Sequence, residues 1–269
     1  MEDSSKSVAK LVKILVEVEK LEDSYWKEQK SKEIKALIIS CAGLWFESYA
    51  DKPSFAVSDK IQLKHPIVLR SNIQATLKQI KTGKTAPPVN KALGYNQPVD
   101  FTTTTEAQYI TQPYWLAEKS TPGLFTVANQ QLIGNPENPN SISSEFTFDI
   151  NGKNITFDRP LVYKFTDPVR GEVYQPIAVA PPVTATIAEK AIVFVGSEPK
   201  QISVSLKSFR AKVKGRLTTK VPTGWKVSPQ VQDISFEKDG EEQNLTLTVT
   251  PNHVKQGTLS LSIQIDGQV

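Results

Sequence analysis

The sequence predicts a mainly β chain: two β-sandwich, Ig-like domains preceded by a short helical segment. Three observations carry this. Before Gly43, apolar residues recur at three- and four-residue steps. From Leu44 onward the apolar period falls to two, and Gly, Pro, Asn and Thr become frequent. Turn signals then return about every ten residues with no helical period between them, which favours sandwiches over a parallel α/β sheet.

The helical segment comes first. Val8, Leu11, Leu15 and Val18 share a stripe, with Lys and Glu between them. A second helix is expected from about Ser31 to Ala42, with Ile34, Leu37, Ile38 and Cys41 on one face, Ser31 as N-cap and Gly43 as the stop. Two helices cannot bury these stripes alone. They must dock on the β region, on a second copy, or on a domain outside this chain.

The strands follow in order. Ile61 to Leu69 alternates in part. The stretch from Gln79 to Gln97, rich in Lys, Pro and Asn, is expected to be a loop with little regular structure, and Gly134 to Asn140 another. The sharpest signal is a hairpin: Phe146, Phe148 and Ile150 point one way, Asn151-Gly152 turns, and Ile155 and Phe157 return. Asn-Gly supplies the positive φ angles of a type I′ turn. Leu161 to Phe165 and Val173 to Ala180 flank a turn at Asp167–Gly171, where Asp167 and Arg170 are expected to form a local ion pair or turn cap. Pro181-Pro182 cannot continue a central strand and marks a boundary. Beyond it, Ile202, Val204 and Leu206 share a face, as do Leu245, Leu247 and Val249, and then Leu259, Leu261, Ile263 and Ile265. The expected division is residues 1–43 as helical lead-in, 44–181 as the first sandwich and 182–269 as the second.

Composition narrows the function. With 39% hydrophobic residues among 269, the chain can build real cores. A net charge of +4, spread along the chain, is small for a nucleic-acid binder. In the lysine-rich stretch from Lys27 to Lys35, Glu28 and Glu33 interrupt the charge, so a solvated helix face is expected. The one cysteine, Cys41, sits in an apolar run and reads as a small core residue. The first residues do not read as a signal peptide, and no apolar run suggests membrane insertion.

Catalytic patterns are sparse. The two histidines, His65 and His253, have no His or Cys partner nearby in the sequence. No Gly-x-Ser-x-Gly elbow occurs. Lys81-Thr82-Gly83-Lys84-Thr85 lacks the earlier glycine of a phosphate-binding loop, and Pro87-Pro88 follows it. No catalytic residue, metal ligand or cofactor is therefore assigned. The aromatic residues are the candidate binding groups. Tyr114 and Trp115 follow Pro113; in a strand they would face opposite sides, one core and one exposed for stacking on a sugar ring. Trp45 and Trp225 are expected to fill cores or domain junctions.

Three strings add a resemblance. They are Cys41-Ala42-Gly43-Leu44-Trp45-Phe46-Glu47-Ser48-Tyr49-Ala50-Asp51, Pro113-Tyr114-Trp115-Leu116, and Pro160-Leu161-Val162-Tyr163-Lys164-Phe165-Thr166-Asp167-Pro168-Val169-Arg170-Gly171-Glu172. Together the chain resembles the non-catalytic C-terminal region of large bacterial PIG-L (LmbE-like) deacetylases, Bacteroidetes type. Val221-Pro222-Thr223-Gly224-Trp225 also resembles the Ig-like sandwich appended to bacterial α-galactosidases. The family removes an N-acetyl group from a GlcNAc-type sugar with zinc, through an Ala-His-Pro-Asp-Asp motif. Here His65-Pro66 is followed by Ile67-Val68, so that site does not carry over. The resemblance implies an accessory region, with zinc only in a catalytic domain outside this chain and that domain as its partner. A periplasmic or extracellular location is implied too.

Three functions follow as expectations. The first is a non-catalytic accessory region that positions the catalytic domain or its substrate. The second is an independent carbohydrate-binding module using Tyr114 and Trp115. The third is a hydrolase using His65 or His253.

Overall fold

The computed structural model describes residues 3–138, 142–252 and 256–266. It is mainly β, with 47% strand and 16% helix, and its sheets pair face to face as sandwiches. In chain order the helices are α1 (Val8–Val18) and α2 (Ser24–Ala42). The strands of the first half are β1 (Leu44–Phe46), β2 (Tyr49–Ala50), β3 (Ser54–Ala56), β4 (Lys60–Leu69), β5 (Ala75–Thr82), β6 (Pro88–Ala92), β7 (Val99–Glu106), β8 (Ser143–Ile150) and β9 (Lys153–Pro160). Then come β10 (Val162–Asp167), β11 (Gly171–Pro176), β12 (Ala178–Ala180), β13 (Val183–Ile187), β14 (Lys200–Ser208), β15 (Val213–Lys220), β16 (Lys226–Ser228), β17 (Val231–Phe236), β18 (Glu242–Thr250) and β19 (Ser260–Ile265).

Two compact units share these elements, and they do not follow a single cut in the chain. The first holds residues 3–53, 60–106 and 112–177; the second holds 54–59, 107–111 and 178–266.

In the first unit, one sheet runs β1-β4-β2-β10-β11, with β7 on the other side of β4. Strands β1 and β2 lie along the same edge of β4, pairing with Ile67–Leu69 and with Leu63 and Lys64 respectively. The pairing of β2 with β10 is parallel, Tyr49 beside Val162 and Ala50 beside Tyr163. The second sheet runs β6-β5-β8-β9. Its β8–β9 hairpin is the one the sequence predicts, with Asn151 at φ 51° and Gly152 at φ 81°. Period-two alternation puts Phe46, Phe146, Phe148 and Phe157 into one core, with Phe46 5.0 Å from the rings of both Phe146 and Phe148. Full burial of such side chains contributes about 1.5–3 kcal/mol each.

Both helices dock on this core. Val8, Val12 and Leu15 of α1 and Ile34, Ile38 and Ala42 of α2 are buried in it. Lys35 donates to the Thr156 carbonyl, and Lys153 pairs with Glu19 at 2.7 Å. Helix α2 begins at Ser24, not near Ser31, because Asp23 accepts the Trp26 amide and caps it. Leu37, expected on the inner face, is exposed. Gly43 ends the helix at φ 59°, a conformation that suits glycine. The lysines of the charged stretch pair along the solvent face, Lys32 with Glu28 and Lys30 with Glu33.

The stretch from Gln79 to Gln97 is not a plain loop: it contains the end of β5 and all of β6. The β5 ladder shifts register between Leu77 and Gln79, which breaks the alternation that would have revealed the strand. The expected loop at Gly134–Asn140 is described only to residue 138, where no strand forms.

The second unit is a four-stranded sheet, β13-β14-β18-β16, over a three-stranded one, β17-β15-β19. Val204, Leu206, Leu217, Phe236, Leu247 and Val249 meet between them. The small parallel pair β3–β12 belongs to this unit, as does the ion pair of Arg210 with Asp59. Pro181 and Pro182 fall in the gap between β12 and β13.

Candidate functional site

Three places in the first unit gather polar or aromatic side chains. The first is the outer face of the β1/β2/β10/β11 sheet. Alternation turns Leu44, Phe46, Ser48 and Ala50 inward, and so leaves Trp45, Glu47 and Tyr49 outward. The register of β10 and β11 brings Lys164 opposite Tyr174 on the same side. The Lys164 ammonium lies 5.6 Å from the Trp45 ring centroid, 5.2 Å from Tyr49 and 5.6 Å from Tyr174. It pairs with Glu47 at 2.8 Å and Glu172 at 3.2 Å. The Tyr174 hydroxyl sits between the same two carboxylates, 2.7 Å from Glu47 and in contact with Glu172.

The electrostatics of this group are self-consistent. Burial alone would pull the Lys164 ammonium down; the hydrogen-bonded Glu47 and Glu172 carboxylates overcome it and raise its pKa. The Tyr174 phenol is raised by burial and by hydrogen bonds to Glu172 and Glu47. Glu172 is lowered by its hydrogen bonds from Tyr174 and Lys164. The ammonium is thus held between two carboxylates and three rings, while Trp45 and Tyr174 remain 38% and 47% exposed. Trp45, expected in a core or junction, is a surface residue.

The second place is the pair Tyr114 and Trp115. They do not alternate across a strand. Tyr114–Leu116 is a single 3-10 turn entered from Pro113. The two rings meet edge to face with centroids 4.9 Å apart, and both side chains are half-buried. Asn138 accepts the Tyr114 amide at 2.8 Å, and the Tyr114 hydroxyl donates to the Asn135 carbonyl at 3.2 Å. The pair is therefore a pinned aromatic corner rather than one core and one exposed ring.

The third is inside. His65 is fully buried on the inward face of β4, 5.4 Å from the Phe146 ring. Its Nε2 meets the Thr103 hydroxyl at 2.7 Å. From there hydroxyls continue through Thr82 (3.4 Å) and Ser144 (2.9 Å) to Ser48 (2.9 Å). Burial pushes the imidazole down to about 4; the nearby Glu47 backbone acts in the opposite direction without closing a hydrogen bond on Nδ1. The ring is neutral at pH 7 and enclosed, so it cannot meet a substrate where it stands. The sequence does not reveal this hydroxyl series, because single Ser and Thr residues scattered over three strands and the β1–β2 connection carry no local pattern. His253 lies outside the described residues.

Other expectations meet their positions. The Asp167 carboxylate accepts the amides of Val169 and Arg170 and pairs with the Arg170 guanidinium at 3.3 Å, capping the β10–β11 turn. Cys41 is half-buried against the core. Trp225 is half-buried and meets Phe194 edge to face at 5.1 Å. Zinc finds no fitting donor set among the described residues: no three His, Cys, Asp or Glu side chains converge. Among those residues no helix is long and apolar enough to cross a membrane.

No family model and no curated protein matches the chain. Among solved structures, the red sea bream transglutaminase crystal structure aligns at a TM-score of 0.35 and 12% identity. The alignment covers 88% of this chain and 31% of that one, so the chain spans about a third of that enzyme's length.

Proposed function

We propose that this chain is a non-catalytic accessory region of a PIG-L-type N-acetylglucosaminyl deacetylase, which positions the catalytic domain or its substrate through its surfaces. One observation carries the reading. Two of the three strings behind the resemblance meet in a single surface group: Trp45, Glu47 and Tyr49 come from the first, and Lys164 and Glu172 from the third. A shallow apolar groove beside α1, lined by Ile14, Val18, Leu21 and Gly152, supports a docking role for the helical end. The partner is the catalytic deacetylase domain of the same parent, and zinc belongs to that domain. The location is the periplasm or outside the cell. Mixing the purified chain with the separately produced catalytic domain tests the reading by co-elution, and a glycan array tests the substrate arm. Silence in both would end it.

The alternative is an independent carbohydrate-binding module built on Tyr114 and Trp115. The edge-to-face pairing and the pinned turn favour it, since a rigid aromatic corner loses little entropy on binding. Quenching of tryptophan fluorescence by an oligosaccharide, lost in Trp115→Ala, is its signature.

A further inference from the structure

We infer that the outer face of β1, β2, β10 and β11 is a subsite for an uncharged pyranose ring, with Trp45 and Tyr174 as its stacking surfaces. This rests on the glycan-binding arm of the reading above, but it places the contact on different residues from Tyr114 and Trp115.

The argument is one of elimination by charge, then of shape. A cation has no room here: Lys164 already fills the space between Trp45, Tyr49 and Tyr174. An anion is disfavoured, because the two carboxylates of Glu47 and Glu172 outnumber that one ammonium. What remains open is neutral ring surface with a polar rim. Trp45 and Tyr174 are both more than a third exposed. Val68 lies opposite Trp45 in the ladder, and Pro176 lies next but one to Tyr174 on the same face, so apolar side chains extend the floor. Glu172 and Tyr174 offer hydrogen-bonding groups at its edge. Sugar C–H faces against aromatic rings, with hydroxyls reaching polar rim groups, match that composition.

The internal ammonium serves this site by fixing it. The Tyr174 ring, held by a cation–π contact and by its hydroxyl against Glu47 and Glu172, is already in one rotamer, so a ligand need not order it. Lys164 is therefore a positioning residue here, and the rings are the contact residues.

Calorimetric titration with soluble oligomers of N-acetylglucosamine and of glucose tests the site in the full chain. Trp45→Ala and Tyr174→Ala should each weaken binding by about tenfold, the scale of one aromatic contact. Tyr174→Phe keeps the ring and should keep most of the affinity, which separates stacking from a folding defect. Affinity should be insensitive to added salt. Binding that survives Trp45→Ala and Tyr174→Ala but is lost in Trp115→Ala would overturn this site and leave the carbohydrate reading standing. Absence of any binding by the wild-type chain would overturn both. If Trp45→Ala instead abolished capture of the catalytic domain and left glycan binding intact, the face would be a protein contact and the inference wrong.

Discussion

Arg210 and Asp59 are 151 residues apart in the sequence, yet Arg210 Nε stands 2.6 Å from an Asp59 carboxylate oxygen. The same guanidinium donates to the Val57 carbonyl at 2.7 Å. This clamp holds the segment Ser54–Asp59 inside the second unit. Both side chains are partly covered, so the pair is stronger than a solvent-exposed one and weaker than a fully buried one. Arg210→Ala should cost about 1–2 kcal/mol of stability by urea denaturation. Arg210→Lys should recover only part of it, because an ammonium cannot serve both acceptors with the same planar geometry.

The imidazole of His65 makes stability depend on pH. Its pKa falls to about 4 on folding from a usual value near 6.5. Between these values the unfolded chain binds the proton and the folded chain does not. Stability is therefore fully present above about pH 6.5 and is lost as pH falls toward 4, by up to about 3 kcal/mol. In His65→Leu this part of the slope should vanish. Denaturation curves of wild type and variant across that window provide the comparison; parallel curves would refute it.

Two glycines make opposite demands. Gly152 sits at φ 81° with nothing near a would-be Cβ, so Gly152→Ala should cost about 1 kcal/mol from backbone conformation alone. Gly215 has no positive φ, but its Cβ would lie 2.4 Å from the Gln264 carbonyl oxygen. Gly215→Ala must push β15 and β19 apart and should cost more, about 2–3 kcal/mol. Thermal unfolding of the two variants side by side would rank them.

The aromatic core of the first unit should be intolerant of truncation. Phe146 is fully buried, touching the rings of Phe46, Phe148 and His65. Phe146→Ala should lower stability by about 3–5 kcal/mol, and Phe146→Leu by much less. Equilibrium denaturation of both would check the difference.

Much of this fold is legible in the sequence, for reasons that can be named. The β8–β9 hairpin shows because Asn151-Gly152 selects its turn and five apolar residues alternate around it. Gly43 shows because few other residues end a helix at positive φ. Two kinds of feature stay hidden. The first is a broken period: the bulge between Leu77 and Gln79 puts Ile80 out of step, and buried Thr82 puts a polar residue in an inward position. The polar start of α2 hides likewise, since Tyr25 and Trp26 are exposed and nothing before Ile34 is buried. The second is distance. The group around Lys164 depends on Tyr49 lying beside Val162, a pairing no local pattern encodes. Tyr114 and Trp115 were legible as residues of interest, but their turn was not.

The interleaving of the two units has a practical side. Cutting the gene after Ala180 would strip away both sheets of the second sandwich but retain Ser54–Asp59, Ala107–Thr111 and β12, which would keep the β3–β12 ladder and lose the Arg210 hold on Val57 and Asp59. A two-stranded ribbon deprived of the second unit's core is too small to be stable by itself, so such a fragment invites association and insolubility. During synthesis, likewise, the ribosome must release the chain through β10 before β2 acquires its parallel neighbour. Early-made strands must wait for late-made ones, a delay that low-contact-order proteins do not face.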